Sequence, residues 1–273
     1  MTVSALGRTE IEYPDSDGLP MAENEYQFDV LTDTVRRLQF YFKNNPNVYV
    51  MGNLFIYYEQ GNNKANVSPD AFVIFGVNKQ KRMSYKVWEE GGQTPDWVME
   101  IASPSTKKKD TVDKKKIYAE NLQVKEYVQY DPVGGYLSPR LQGFRLQSGK
   151  YVPMPLVPRA DGIKVLKSAV LGLELQLLED GELRLYDQSR DRFLPNYWES
   201  EEARVRAELA RTQAELARRE AQEARTQAEL ALEQESRARR AAVERLLKLG
   251  LTVEQVAEAL GYSVAEVREL AVE

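Results

Sequence analysis

The feature that most limits how this chain can fold is the long segment 200–240, which contains neither glycine nor proline. Its residues are mostly Ala, Glu, Arg and Gln, all of which favour the helix. Alanines recur along it at alternating spacings of four and three, and they are Ala203, Ala207, Ala210, Ala214, Ala217, Ala221, Ala224, Ala228 and Ala231. The heptapeptide Arg-Thr-Gln-Ala-Glu-Leu-Ala occurs at 211–217 and again at 225–231. This pattern predicts one long helix with an alanine seam of the coiled-coil type.

The seam leaves two interpretations open, because alanine buries little apolar area in each layer of a coiled coil. The helix either associates along its seam or stands as a solvated, charged helix. The composition changes sharply near Trp198, which predicts a domain boundary there. We expect an N-terminal arm at 1–22, an α/β domain at 23–195, the helix at 199–240 and a small C-terminal segment at 241–273.

The segment 23–195 alternates between helical and strand-like patterns. Apolar residues at steps of three and four, namely Phe28, Leu31, Val35, Leu38 and Phe42, predict a helix from Glu23 to about Asn44. Runs of β-branched and aromatic residues predict a strand or bent hairpin at 48–58 and strands at 71–75, 97–102 and 125–130, with a basic helix at about 109–121. Residues 136–194 predict further antiparallel strands. The order helix, strand, strand, strand, helix, strand is that of a mixed α/β domain.

The composition excludes several kinds of chemistry, because the chain contains no cysteine and no histidine. Disulfide frameworks, thiolate zinc sites and Ser/His/Asp triads are therefore excluded. Carboxylates, lysines, tyrosines and backbone groups remain. Oxygen ligands of this kind select hard ions such as Mg²⁺ or Mn²⁺.

Two carboxylates stand at unusual positions in the predicted strands. Asp70 follows Pro69 at the start of one strand, and Glu100 lies inside the otherwise apolar strand 97–102. An unpaired buried charge is costly, and a cation shared by the two strands would remove that cost. We therefore predict a metal site formed by Asp70, Glu100 and the backbone carbonyl of Ile101. The alternative is that Asp70 caps a turn and Glu100 pairs with a lysine.

The basic helix supplies a third candidate. Lys114 and Tyr118 are four residues apart and so share one face, with further lysines at 107–109, 115 and 116. Ile117 and the ring of Tyr118 indicate the buried face, which places Lys114 beside it. A lysine near a bound metal would orient water or neutralise a phosphate oxygen. The alternative is a solvated charged face.

Several motifs of the chain together resemble a known family. They are Ser68-Pro69-Asp70 with the following strand, Pro95 to Ser103 with Glu100, Asp110 to Lys114 to Tyr118, Lys125 to Pro132, and Gly181 to Tyr186. Over about residues 15–195 the chain resembles the Uma2 family of restriction-endonuclease type, common in cyanobacteria, within the PD-(D/E)XK nuclease superfamily. The resemblance implies a restriction-endonuclease-like core, a mixed central sheet flanked by helices. The helical tail is also similar to tails seen in that family.

The resemblance further implies an activity and a set of site residues. It implies a Mg²⁺-dependent (or Mn²⁺-dependent) endonuclease that hydrolyses phosphodiester bonds of DNA, with Asp70 and Glu100 as metal ligands. In the superfamily a lysine stands two residues after the glutamate, where this chain has Ala102. The resemblance implies that Lys114 on the following helix takes that place. It also implies Glu23, from the first helix, as a further acidic ligand.

Two functions of other classes remain open. The chain could be a non-catalytic, nuclease-like scaffold that works through its helical tail, or a DNA-binding regulator that uses residues 252–271. Thr252 and Gln255 predict a capping box, and the spacing of Ala257, Gly261 and Val267 resembles a helix-turn-helix. Its last helix carries Glu266 and Glu269, however, and these carboxylates would repel phosphates. We therefore expect this end to pack or to dock a partner.

The remaining expectations concern partners and location. We expect a homodimer, formed in part through the alanine seam. The formal net charge is −5 and the pI is about 5.2, which argues against general electrostatic adhesion to nucleic acid. No apolar signal region and no stretch of about 20 apolar residues is present, so we expect a cytoplasmic protein with no membrane association.

Overall fold

The computed structural model describes residues 11–16, 24–103 and 110–272. The chain divides after Glu201 into two compact units. The first unit combines helices with three β-sheets, and the second is entirely helical.

The first helix of the first unit is α1 (Glu25–Tyr41), and Asn24 is its N-cap residue. The Asn24 side chain accepts a hydrogen bond from the Gln27 backbone N–H at 3.0 Å, which satisfies one of the unpaired amides of the first turn. Leu31, Val35 and Leu38 are buried as predicted. Phe28 is exposed, so its predicted place on the apolar face is wrong.

The main sheet has six strands in the order β1-β4-β6-β7-β8-β9. These strands are β1 (Val48–Met51), β4 (Ala71–Phe75), β6 (Trp97–Ile101), β7 (Glu126–Tyr130), β8 (Leu141–Gln147) and β9 (Lys150–Pro153). β6 and β7 run parallel, and α2 (Asp110–Glu120) lies between them in the chain, as a parallel connection requires. The other neighbouring strands are antiparallel, so the sheet is mixed.

Two smaller sheets complete the first unit. One contains β3 (Asn66–Val67), β2 (Ile56–Tyr57) and β5 (Tyr85–Lys86). The other contains β10 (Leu156–Pro158), β11 (Lys164–Ser168), β12 (Leu173–Leu177), β13 (Leu183–Asp187) and β14 (Arg192–Phe193), all antiparallel.

The two faces of the main sheet bury different parts of the chain. Alternate residues of β6, such as Trp97 and Met99, pack with α1 and with the five-stranded sheet. Val98, on the opposite face, packs with Tyr118 and Leu122 at the end of α2. Glu100 shares the face of Val98, because side chains alternate along a strand. α2 is thereby placed over Glu100.

The second unit contains the remainder of α3 (Tyr197–Lys248), followed by α4 (Val253–Leu260) and α5 (Val264–Val272). Thr252 and Gln255 form the predicted capping box. Gly261 ends α4 with a φ of 68°, a left-handed conformation that glycine adopts without strain. Val243, Val256, Ala257 and Val267 form a small core. No helix in the described part of the chain is both long and apolar enough to cross a membrane.

The predicted fold class is confirmed: an α/β core with a mixed central sheet is followed by one long helix and two short helices. The long helix extends further than predicted in both directions. Its surface is exposed along 202–235, so the choice between a coiled coil and a solvated helix stays a prediction.

Candidate functional site

The two predicted carboxylates come together on neighbouring strands. Ala71 of β4 lies opposite Met99 of β6, so Asp70 lies beside Glu100. Asp70 is buried, and its Oδ2 accepts a hydrogen bond from the Ile101 backbone N–H at 2.6 Å. The residue predicted to offer a carbonyl to a metal therefore holds Asp70 through its amide.

Two side chains of α2 contact the carboxylate of Glu100. Lys114 Nζ lies 2.9 Å from Glu100 Oε2 and also donates to the Ser68 carbonyl at 3.1 Å. The hydroxyl of Tyr118, which is completely buried, donates to Glu100 Oε1. Lys114 and Tyr118 contact the same carboxylate because residues four apart lie on one face of a helix. Both oxygens of Glu100 are thus engaged by one helix.

The three consecutive lysines of α2 point to three different places. Lys115 Nζ lies 3.2 Å from the centroid of the Phe144 ring, and burial lowers its pKa. Lys116 Nζ lies 3.9 Å from Glu120 Oε2 at the surface. Of these three, Lys114 is the one that contacts the carboxylates, as the helical spacing predicted. Lys107, Lys108 and Lys109 lie outside the described residues.

The electrostatics of the pair are unbalanced. Burial, and after it the neighbouring charge of Glu100, together raise the pKa of Asp70 from 3.8 to about 8. Lys114 and the Ile101 amide oppose this rise without cancelling it. A carboxyl group with such a pKa resists ionisation near neutral pH. The site therefore lacks positive charge when both carboxylates are ionised.

This imbalance bears on the alternative interpretation, in which Glu100 pairs with a lysine. Glu100 does form that ion pair. A purely structural ion pair, however, gives no reason to bury a second carboxylate beside it. A hard cation held by both carboxylates would supply the missing charge, and oxygen donors are the ligands such ions prefer.

Few of the described residues could act as metal ligands at this site. No group of three Asp, Glu, His or Cys side chains that could hold a metal occurs among residues 11–16, 24–103 and 110–272. Glu23, the predicted third carboxylate, lies outside the described residues. Two carboxylates with water as the other ligands fit Mg²⁺, which commonly keeps several waters. The residues present therefore fit the expected ion.

Two neighbours of the site were missed by the sequence reasoning. Gln129 lies opposite Glu100 in the parallel register of β6 and β7, and Tyr127 lies two residues before it on the same face. Both side chains are buried. Burial, followed by the charge of Glu100, raises the pKa of Tyr127 well above its usual value. Only the register of β7 against β6 identifies these residues, since their own strand pattern is simply that of a buried strand.

Comparisons with known proteins bear on the identity of this fold. One similar solved structure is a "putative nuclease belonging to DUF820 from Anabaena variabilis ATCC 29413", with 16% sequence identity and a TM-score of 0.36. The match covers 51% of this chain and 74% of that one. No curated protein matches the chain.

A family match is more extensive. The Uma2 family, described as "Putative restriction endonuclease", matches residues 10–178, which is more than half of the chain. The matched span contains Asp70, Glu100 and Lys114. The chain therefore belongs to the Uma2 family of restriction-endonuclease-like proteins.

Proposed function

We propose that the chain is a metal-dependent endonuclease that hydrolyses phosphodiester bonds of DNA. The observation that carries this proposal is that the buried Asp70 and the half-buried Glu100 lie side by side, and that Lys114 alone does not balance their charge when both are ionised. Membership of the Uma2 family supports nucleic acid as the substrate. Mg²⁺ or Mn²⁺ is the proposed cofactor, because only oxygen ligands are present at the site.

Each residue has a distinct role in this proposal. Asp70 and Glu100 bind the cation, with the Ile101 carbonyl and Glu23 as further proposed ligands. When bound, the ion supplies positive charge for the phosphate and acidifies water. The Lys114 ammonium group lies 2.9 Å from Glu100 Oε2, where it orients the attacking water or neutralises a phosphate oxygen. Tyr118 fixes the position of Glu100 through its buried hydroxyl.

A cleavage screen tests this proposal. The full-length protein is incubated with plasmid DNA, single-stranded DNA and RNA in Mg²⁺, in Mn²⁺ and in EDTA. We expect cleavage of DNA that needs the ion and that is lost in Asp70→Ala. Asp113→Ala, which removes an exposed carboxylate next to Lys114, should retain it. Cleavage that survives EDTA would refute the metal dependence.

A second function is favoured by one observation. Ala102 stands where the superfamily has its lysine, and Glu100 is already paired with Lys114. A scaffold that no longer cuts and acts through its helical tail would fit both facts. A thermal-shift titration separates the two functions, because an ion that binds the folded chain raises the melting temperature. No shift with Mg²⁺ or Mn²⁺ would favour the scaffold.

We also propose that the chain is a homodimer, with α3 contributing its alanine seam. Nucleases that cut both strands of a duplex benefit from two sites related by symmetry. The proposed domains are the arm at 1–22, the nuclease domain at 23–195, the helix at 199–240 and the helix-turn-helix-like segment at 241–273. The first compact unit ends at Glu201, close to the proposed end of the nuclease domain.

A further inference from the structure

A groove runs along the open edge of the main sheet, and neither Asp70 nor Glu100 is among the residues that line it. It lies between β1, the segment 79–83, and Gln39 of α1 with Phe42 and Lys43 just after that helix, and its volume is about 720 Å³. β1 pairs with β4 on one side only and forms the edge of the sheet. We call this feature the β1-edge groove.

The charge of the groove is opposite to that of the chain. Four cationic residues line it, namely Lys43, Lys79, Lys81 and Arg82, and none of its described lining residues is Asp or Glu. The whole chain, in contrast, has a formal net charge of −5. A local basic surface on an acidic protein is suited to an anionic partner.

The four cations are not equivalent. Lys79 Nζ donates to the Phe42 and Lys43 carbonyls and so joins two walls of the groove, whereas the Arg82 guanidinium pairs with Glu90, which lies outside the groove. Lys43 and Lys81 are exposed and form no ion pair with any described residue. These two lysines are therefore available to a ligand.

One end of the groove lies near the carboxylate pair, although neither Asp70 nor Glu100 lines it. Met51, at the end of β1, lies opposite Phe72, two residues beyond Asp70. The Asn53 N–H donates to the Pro69 carbonyl at 2.9 Å. The Met51 end of the groove is therefore the end nearer to Asp70.

We propose that the β1-edge groove binds the phosphate backbone of a single nucleic-acid strand that continues into the Asp70 and Glu100 site. This inference rests on the proposed nuclease function. Lys43 and Lys81 contact phosphates, while exposed Met51 and Met83 offer apolar surface to the bases. Proteins that bind single strands without sequence preference usually combine a cationic groove with aromatic side chains on which the bases stack, and here the two methionines would take the place of those aromatic side chains.

Two other occupants fit the groove less well. An added β-strand would compete with Gln39, whose Nε2 already donates to the Val50 carbonyl at the open edge, at 3.0 Å. A second copy of the chain would bring Lys43 and Lys81 close to the same lysines of the other copy, because a two-fold interface is formed by the same surface patch on both subunits. These like charges would repel each other. The remaining rival is an acidic peptide bound in extended form.

Binding of a labelled single-stranded DNA oligonucleotide to the full-length protein in EDTA tests this inference without requiring cleavage. The test pair is Lys43→Glu with Lys81→Glu. The control pair is Lys150→Glu with Lys164→Glu, which replaces two exposed lysines elsewhere in the same unit and changes the net charge equally. Fluorescence anisotropy at several salt concentrations gives both the affinity and its salt dependence.

We expect the test pair to weaken DNA binding at least tenfold and the control pair to change it less than twofold. Loss of two phosphate contacts should also reduce the slope of log affinity against log salt by about 1.4. Equal effects of the two pairs would overturn the proposal, and so would tighter binding of polyglutamate than of DNA. Binding that depends on the groove without any metal-dependent cleavage would refute the nuclease function alone. Cleavage without dependence on the groove would refute this inference alone.

Discussion

Replacing Asp70 by asparagine should stabilise the protein when no metal is bound. Asparagine has nearly the shape of the neutral carboxyl group, and its amide oxygen can still accept the Ile101 N–H. The variant removes the need to protonate or to bury a charge at this position. It also removes a proposed metal ligand.

The size of the effect follows from the pKa of Asp70, which rises from 3.8 to about 8 on folding. At pH 7 this corresponds to an upper limit of about 4 kcal/mol, at ~1.4 kcal/mol per pKa unit. A gain in unfolding free energy of only about 1 kcal/mol, a quarter of that limit, would still raise the melting temperature by about 2–4 °C in a unit of this size.

The pH dependence of this effect has a definite sign. Because the pKa of Asp70 is higher in the folded chain, its neutral form favours folding at low pH, and this contribution is lost as the pH rises from about 4 through about 8. The amide introduced by Asp70→Asn does not titrate, so the gap in stability between variant and wild type should widen over that range. Adding Mg²⁺ or Mn²⁺ should stabilise the wild type and not the variant.

Asp131→Asn is the matched control. Asp131 is also completely buried, and burial alone would raise its pKa. Its carboxylate, however, accepts four backbone amides, and together they lower its pKa below the usual value; the donors are Val133, Gly134, Tyr136 and Leu137. Asp131→Asn should therefore destabilise the protein. If Asp70→Asn destabilises it as much, or if the gap between Asp70→Asn and wild type does not change with pH, the account of the carboxylate pair is wrong.

Three further predictions concern α2 and α3. Lys114→Ala should lower the rate of DNA cleavage about 10²-fold or more, and Lys115→Ala much less; equal losses in a steady-state assay would show that the wrong lysine was chosen. Tyr118→Phe should weaken the metal-induced thermal shift while the circular dichroism spectrum is retained, and an unchanged shift would contradict its role in holding Glu100. Ending the chain at about residue 198 should leave a folded unit with weaker self-association, and light scattering that shows the full chain as a monomer at high concentration would exclude the seam as a dimer contact.

Much of the fold could be predicted from local patterns. β4 coincides with its predicted bounds, because Ala71–Phe75 is a short, fully apolar run preceded by Pro69. The capping box at Thr252 needed only two residues at the correct spacing. The face of α2 was also predictable, since Ile117 and Tyr118 identify the side toward the sheet and Lys114 follows from the helical period.

Other features depend on contacts between distant parts of the chain. The segment 48–58, predicted as a strand or bent hairpin, instead forms two short strands, β1 and β2, that lie in different sheets. The chain bends near Gly52, where a Cβ would lie only 2.1 Å from the Asp70 carbonyl oxygen, and Asn53 has a φ of 50°. No local pattern shows that approach. Gln129 became a neighbour of Glu100 only through the register of two parallel strands. The β1-edge groove likewise combines lysines from two segments that are far apart in sequence.

The most direct test of the nuclease account is single-turnover cleavage of DNA by the full-length chain after removal and return of the metal. The account predicts that wild-type protein cleaves with Mg²⁺ or Mn²⁺, that EDTA stops the reaction, and that Asp70→Ala and Glu100→Ala each abolish it while the protein stays folded. Glu89→Ala, which removes an exposed carboxylate of the same unit, should cleave at the wild-type rate. Folded Asp70→Ala and Glu100→Ala proteins that cleave DNA as fast as the wild type would contradict the account.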